Sequence, residues 1–167
     1  MPRYEIEGHC PVCEQQTSFL AEREEELSPR WWDHWFRDSL LCRSCGSIPR
    51  ERALMAVLTA IRPNWRELLI HESSPGARGA SLRLQDQCPG YVATQYDTSI
   101  PFGSVDEKSN HRSEDLAAQT FPDGVFDVVV TQDVFEHLFD PAAAISEIRR
   151  TLKPNGICIM TGTCQRL

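Results

Sequence analysis

Four cysteines stand in two pairs with the same internal spacing, Cys10-x-x-Cys13 and Cys42-x-x-Cys45, with 28 residues between the pairs. Two such knuckles can bring four thiolates round one Zn²⁺ in a tetrahedron. The interval is longer than in compact ribbons, so the chain between has to be accommodated as an insertion. A disulfide pair, a redox motif and ordinary buried cysteines are the other uses of this pattern. Structural zinc held by Cys10, Cys13, Cys42 and Cys45 is the expectation. Cys88, Cys158 and Cys164 lack ligand spacing and read as small apolar residues. A second group with chemical capacity is Asp133-x-x-Glu136-His137. An imidazole flanked by carboxylates can act as an acid or base, and the three together could hold a divalent ion.

The elements around that second group can be read residue by residue. Pro122-Asp123-Gly124 is turn chemistry, because Pro presets φ, Asp bonds locally and Gly accepts φ > 0. Phe126 to Thr131 then carries three consecutive valines without polar alternation, which fits a strand covered on both faces in a parallel sheet. Gln132 and Asp133 arrive where that strand ends. In open α/β sheets, ligands bind outside the carboxyl ends of the strands. Asp140 reads as an N-cap and Pro141 as the first helical residue. Ala144, Ile145, Ile148 and Leu152 recur at helical spacing, and Asn155-Gly156 after Lys153 is a stop signal. Ile157 to Thr161 is the next buried strand, which completes a right-handed βαβ unit.

Upstream, Pro49 to Ile61 is predicted helical, with Leu54, Val57, Leu58 and Ile61 on one face. Leu68 to Glu72 reads as a strand, residues 73–79 as a turn, Ala80 to Leu84 as the opening of a short helix, and Tyr91 to Tyr96 as a second strand. Ser99 to Arg112 is polar and reads as an irregular loop. The domain boundary is placed between residues 48 and 49: a zinc-ribbon-like module over 1–48, then an α/β domain over 49–167.

Asp115 to Gly156 resembles the class I S-adenosylmethionine-dependent methyltransferases, of the broad type often called methyltransferase type 11. The resemblance is carried by Asp115-Leu116, Phe121-Pro122-Asp123-Gly124, Phe126-Asp127-Val128-Val129, Val134, Glu136-His137-Leu138, Asp140-Pro141, Glu147-Ile148-Arg149-Arg150 and Leu152-Lys153-Pro154 with Gly156. It is looser from Leu68 to Ser113. It implies a Rossmann-like, mostly parallel α/β sheet that binds S-adenosylmethionine and serves a small-molecule or glycan-like acceptor. By this resemblance Glu72 takes the acidic position that contacts the methionine end of the cofactor. Gly76 is the middle glycine of the turn, and Ser74 stands where the family has its first glycine. Asp115 would bond the adenine amino group, and the backbone amide of Leu116 a ring nitrogen. A carboxylate about 20 residues past the turn bonds ribose in dinucleotide-type folds, which leaves Gln95 and Asp97 as alternatives. Gln132 falls at the meeting point of cofactor and acceptor, and His137 is the candidate catalytic base. Asp133-x-x-Glu136-His137 is also similar to the Glu-x-x-Glu-His of some metal-assisted O-methyltransferases, with Asp in place of the first Glu.

The family's sheet has seven strands, the last two an antiparallel hairpin. The chain is expected to lack those two, leaving its fifth strand as an apolar edge that another chain could pair with. The net charge of −7 and pI near 5.2 argue against a general grip on nucleic-acid backbones. Residues 1–52 are also net −3, with seven Arg against ten Asp or Glu. The tryptophans at 31, 32 and 35 read as a packing surface. No apolar run suggests a membrane span or a signal peptide, so a cytoplasmic protein with reduced thiols is expected. The competing reading is a zinc-ribbon interaction protein whose α/β half has lost activity.

Overall fold

A computed structural model describes residues 3–22, 39–106 and 111–162. The predicted tryptophan surface and Cys164 lie outside the described residues. The chain forms two compact units, one of residues 1–63 with 76–83 and one of residues 64–75 with 84–167.

The first unit begins with an antiparallel sheet of β1 (Arg3–Cys10), β2 (Gln15–Glu22) and β3 (Leu41–Cys42), in that order. Its buried apolar residues include Val12, Phe19 and Ala21, together with Cys10 and Cys42. Helix α1 (Pro49–Ile61) follows, with Pro at its start, where the missing N–H costs nothing. Its buried stripe is Glu51, Leu54, Met55 and Leu58, while Val57 and Ile61 face solvent. The stripe is therefore rotated from the predicted one, because Glu51 is drawn inward: its carboxylate accepts the backbone N–H of Ile48 at 3.0 Å and caps the helix.

The second unit is built on a sheet of order β6-β5-β4-β7-β8, from β4 (Ile70–Ser73), β5 (Tyr91–Gln95), β6 (Arg112–Ser113), β7 (Phe126–Gln132) and β8 (Leu152–Thr161). All four pairings are parallel. Helix α2 (Gly79–Gln87) lies between β4 and β5 in the chain, and α3 (Pro141–Thr151) between β7 and β8. Val128, Val129 and Val130 are all fully buried although they alternate between faces, so β7 is covered on both sides, as its unbroken valine run predicts. On the Val129 face, Phe126 and Val129 cluster with Leu116, Phe121, Ala144 and Ile148.

Helix α3 starts as predicted, with Asp140 accepting the Ala143 N–H at 2.9 Å and Pro141 next. It stops at Thr151, earlier than the Asn155-Gly156 signal implies. Leu152 already pairs with Phe126, and the register shifts before Val128 meets Ile157. Asn155 takes φ 65°, so the predicted stop residues form an irregularity at the start of β8 instead. Strand β6 falls at the end of the segment read as a loop. No described helix is long and apolar enough to cross a membrane.

Candidate functional site

The order β6-β5-β4-β7-β8 reverses direction between β4 and β7: the chain runs outward from β4 to β6, then returns to the other side of β4. Crevices in open sheets form at such switch points, outside the carboxyl ends of the strands. Both strands leave this sheet through a non-glycine residue in the left-handed region, Ser74 at φ 52° after β4 and Asp133 at φ 53° after β7. The Ser74 N–H donates to Thr94 O at 2.7 Å, and the Asp133 N–H to Thr161 O at 2.9 Å. These bonds hold two residues in a conformation that costs about 1–2 kcal/mol each for L side chains.

A cavity of about 410 Å³ opens there, within the range of small-ligand sites. Its wall takes residues from four strand ends: His71, Ser73 and Ser74 from β4, Thr94 and Tyr96 from β5, Glu114 to Ala117 after β6, and Asp133, Val134 and His137 to Asp140 after β7. His71 and Ser73 share one face of β4, and Glu72 between them takes the other. His71 Nε2 lies 2.8 Å from Thr94 Oγ1, and the ring stacks on Phe126 and meets the edge of Phe121. Burial holds its pKa down to about 4, with nearby Glu114 opposing the shift and Arg112 reinforcing it, so His71 is neutral at physiological pH. Glu114 is buried and receives Arg112 Nε at 2.7 Å and the Thr120 N–H at 2.8 Å.

The cavity wall includes Ser74, Asp115, Leu116 and His137 of the residues predicted from sequence. Asp115 uses Oδ1 to accept the Ala117 N–H at 2.8 Å. The others lie elsewhere. Glu72 is fully buried on the opposite face, where Oε2 accepts from Tyr91 Oη at 2.7 Å and Oε1 from Gln132 Nε2 at 2.8 Å. Gln132 is thus Glu72's partner rather than a wall residue. Gln95 pairs with Ser113 in the sheet. The Asp97 carboxylate accepts the N–H and Oγ–H of Ser99, at 2.9 and 2.6 Å, and these bonds lower its pKa. Gly76 belongs to the first unit, where its N–H donates to Ser81 Oγ at 3.1 Å. His71, Ser73, Thr94, Tyr96 and Glu114 were not singled out from sequence. The available signal was alternation: in a strand ending at a ligand site, His71 and Ser73 must share a face that Glu72 does not.

In the first unit the four predicted cysteines converge. All four Sγ atoms lie within 4.8 Å of one another, with Cys10–Cys45 at 3.8 Å and Cys13–Cys42 at 3.9 Å. A zinc tetrahedron with Zn–S bonds of about 2.3 Å has edges of about 3.8 Å, so the quartet fits that ion. The two knuckles are built alike. The Glu14 N–H donates to Cys10 O and the Gly46 N–H to Cys42 O, both at 2.8 Å, and each donor has positive φ. Ser47 Oγ sits 3.5 Å from Cys10 Sγ and 3.2 Å from Cys45 Sγ. Burial and the neighbouring thiols push Cys13 up to about 12. At Cys42 burial is outweighed by the amides of Cys45 and Ser44, which bring it to about 7. Burial also raises Cys45. A dication would supply the charge that makes four thiolates compatible at these distances. Among the described residues this quartet is the one group whose ligand atoms are close enough to share a metal. Asp133, Glu136 and His137 do not form a second.

Residues 75–160 match the family model described as a methyltransferase domain. The chain belongs to this family. A curated relative, an uncharacterized methyltransferase of Schizosaccharomyces pombe, is 53% identical over 36 residues, which are 22% of this chain and 13% of that one. Among solved structures, the cyclase SpnF is similar with TM-score 0.52 and 20% identity, over 67% of this chain and 44% of its own. A protein from Pyrococcus horikoshii OT3 is similar with TM-score 0.51 and 22% identity, over 66% and 55%. The chain spans less than two-thirds of the length of each of these proteins. At these identities the likeness is one of fold: a class I S-adenosylmethionine-dependent methyltransferase fold, joined here to an N-terminal cysteine quartet able to coordinate metal.

Proposed function

We propose that the chain binds S-adenosylmethionine in the switch-point cavity and passes its methyl group to a small-molecule or glycan-like acceptor. The observation that carries this reading is the grouping of Ser74, Asp115, Leu116 and His137 in one wall, at the reversal of strand order. Bound there, the cofactor would supply an electrophilic methyl group on a sulfonium. Asp115 has a carboxylate oxygen beyond the one that caps Ala117, and with the Leu116 amide it would bond adenine. The left-handed turn at Ser74 leaves room beside the β4 end for the rest of the cofactor. His137 stands on the short helical turn Phe135–His137, exposed at the cavity wall, where it would take a proton from an acceptor that loses one. The protein's main work in such a displacement is alignment of nucleophile, methyl and leaving sulfur.

In the same reading the quartet Cys10, Cys13, Cys42 and Cys45 holds a structural zinc ion, and the chain divides functionally near residue 48. The outer edge of β8 is a place where a further strand, from another segment or another chain, would pair.

Glu72 favours the competing reading of an interaction module, because its carboxylate is bonded to Tyr91 and Gln132 instead of fronting the cavity. Calorimetric titration with S-adenosylhomocysteine separates the two. Saturable binding that weakens on Asp115→Ala is expected. Absence of binding at millimolar ligand would sink the enzymatic reading in favour of the interaction module.

A further inference from the structure

The cavity wall carries a one-sided charge. Among the described residues it holds four carboxylates, Glu114, Asp115, Asp133 and Asp140, and neither lysine nor arginine. Glu114 is answered by Arg112 at 2.7 Å. Asp115 and Asp140 each use an oxygen to accept a backbone N–H, which leaves their charge in place. His71, the buried imidazole of the wall, is neutral. A family member whose acceptor were a phosphate or carboxylate would need a cation here to receive it.

A second observation is independent of charge. His71 is fully buried and Ser73 is 5% exposed, both front this cavity, and His71 Nδ1 and Ser73 Oγ have no hydrogen-bond partner among the described residues. Buried polar atoms without partners cost free energy, and a cavity floor that keeps two of them is suited to a polar ligand that satisfies them.

We propose that the cavity selects for positive charge at the reacting centre, with Asp133 the main residue setting that selection. Asp133 is held at φ 53° at the end of β7, the strand on one side of the switch point, so its position is fixed by backbone rather than by a rotamer alone. The proposal rests on the reading of this cavity as the S-adenosylmethionine site. It makes the sulfonium form the preferred ligand and its neutral thioether product the weaker one, which favours product release. It also favours an acceptor that takes the positive charge onto itself as the methyl arrives, an amine, over an anionic one. In that transfer the C–S bond breaks with its electron pair going to sulfur, the N–C bond forms from the nitrogen lone pair, and the proton the nitrogen then sheds passes to His137 or solvent.

The test is calorimetric titration of the full chain with three ligands. S-adenosylmethionine carries the sulfonium, sinefungin carries a protonated amine at the same place, and S-adenosylhomocysteine is uncharged there. One net carboxylate within about 10 Å of that charge changes affinity about tenfold at surface dielectric. Both cationic ligands are expected to bind about tenfold tighter than the thioether at low salt. Raising salt from about 0.1 to about 1 M shortens the screening length from about 10 to about 3 Å, and the gap should shrink with it. Asp133→Asn should narrow the gap at low salt. Equal affinities, a tighter thioether, or a gap indifferent to salt overturns the proposal while leaving the cofactor site standing. A gap that survives Asp133→Asn removes the assignment to Asp133. Failure of all three ligands to bind overturns the cofactor reading and this one with it.

Discussion

Substitution of Gly79 by Ala tests how the first unit is held together. Gly79 begins helix α2 at φ 53°, and a Cβ built there would stand 2.1 Å from Glu51 Oε2, 2.6 Å from Cδ and 3.2 Å from Oε1. The far end of a glutamate normally swings aside. This one is 5% exposed, caps α1 through the Ile48 N–H at 3.0 Å and receives Arg78 Nε at 3.2 Å. Two costs follow. A non-glycine residue at this φ costs about 1–2 kcal/mol. Displacing the carboxylate leaves a buried amide unpaired, for about 1–3 kcal/mol more. The half-exposed arginine contributes little beyond that. The reduced freedom of Ala in the unfolded chain returns about 0.4–1 kcal/mol. The net expectation is a loss of about 1–5 kcal/mol in equilibrium urea unfolding, from those terms together. A double-mutant cycle with Glu51→Ala sharpens the test. Once the carboxylate is gone the clash is gone, so Gly79→Ala should cost only its backbone share in that background. A loss below about 0.5 kcal/mol, the ordinary range of surface substitutions, or full additivity in the cycle, would refute the argument.

Three further outcomes are expected. Protein purified without a metal-binding tag should carry about one zinc per chain by elemental analysis, from the four-ligand geometry. Cys42→Ser should bring this below about half an equivalent, and chelation should expose the amides of β1 and β2 to hydrogen exchange. Less than half an equivalent in the parent protein with reduced thiols counts against the site. His71 gives a pH signature. Its folded pKa, about 4, lies below the ordinary value of 6.5, so the unfolded chain binds more protons between those values. The stability it contributes is complete above about pH 6.5 and is lost as pH falls toward 4, by about 3 kcal/mol in all. His71→Gln should flatten the stability profile in that window, and an unchanged profile would show that the imidazole is not buried neutral. Ser74→Gly should leave stability within about 1 kcal/mol of the parent, because relief of the left-handed strain offsets the added freedom of the unfolded chain. Ser74→Val, with a β-branched side chain at the same φ, should cost clearly more than Ser74→Gly in the same unfolding assay.

The sequence was most legible where one physical constraint acted alone. Three valines without alternation demand cover on both faces, and β7 has it. Asp140-Pro141 can hardly be anything but a helix start, and α3 begins there. Two knuckles of equal spacing imply a shared centre, and four sulfurs meet. Legibility fell where two constraints met. The predicted stripe of α1 held Val57 and Ile61, whereas the buried one holds Glu51, whose carboxylate caps the helix through the Ile48 N–H. Asn155-Gly156 carries a helix-stop signature, yet the pairing of Leu152 with Phe126 ended the helix first. Strand β6 is two residues in a polar stretch and leaves no periodic trace.

The turn after β4 shows why the site was harder to read than the fold. Comparison by residue type drew attention to Glu72, Gln95 and Asp97, the side chains able to bond a cofactor strongly. A strand ending at a ligand site sorts its residues by parity first and by chemistry second. His71 and Ser73 face the cavity because Glu72 does not, and Thr94 and Tyr96 line it while Gln95 between them does not and the Asp97 carboxylate accepts from Ser99. The glycine pattern follows the same logic. Ser74, at the position where the resemblance puts the first glycine, takes φ 52°, a conformation that glycine adopts without cost. Asp133 takes φ 53° on the neighbouring strand. The strain of the two strand exits sits at Ser74 and Asp133, both in the cavity wall, where strained residues are most informative about function.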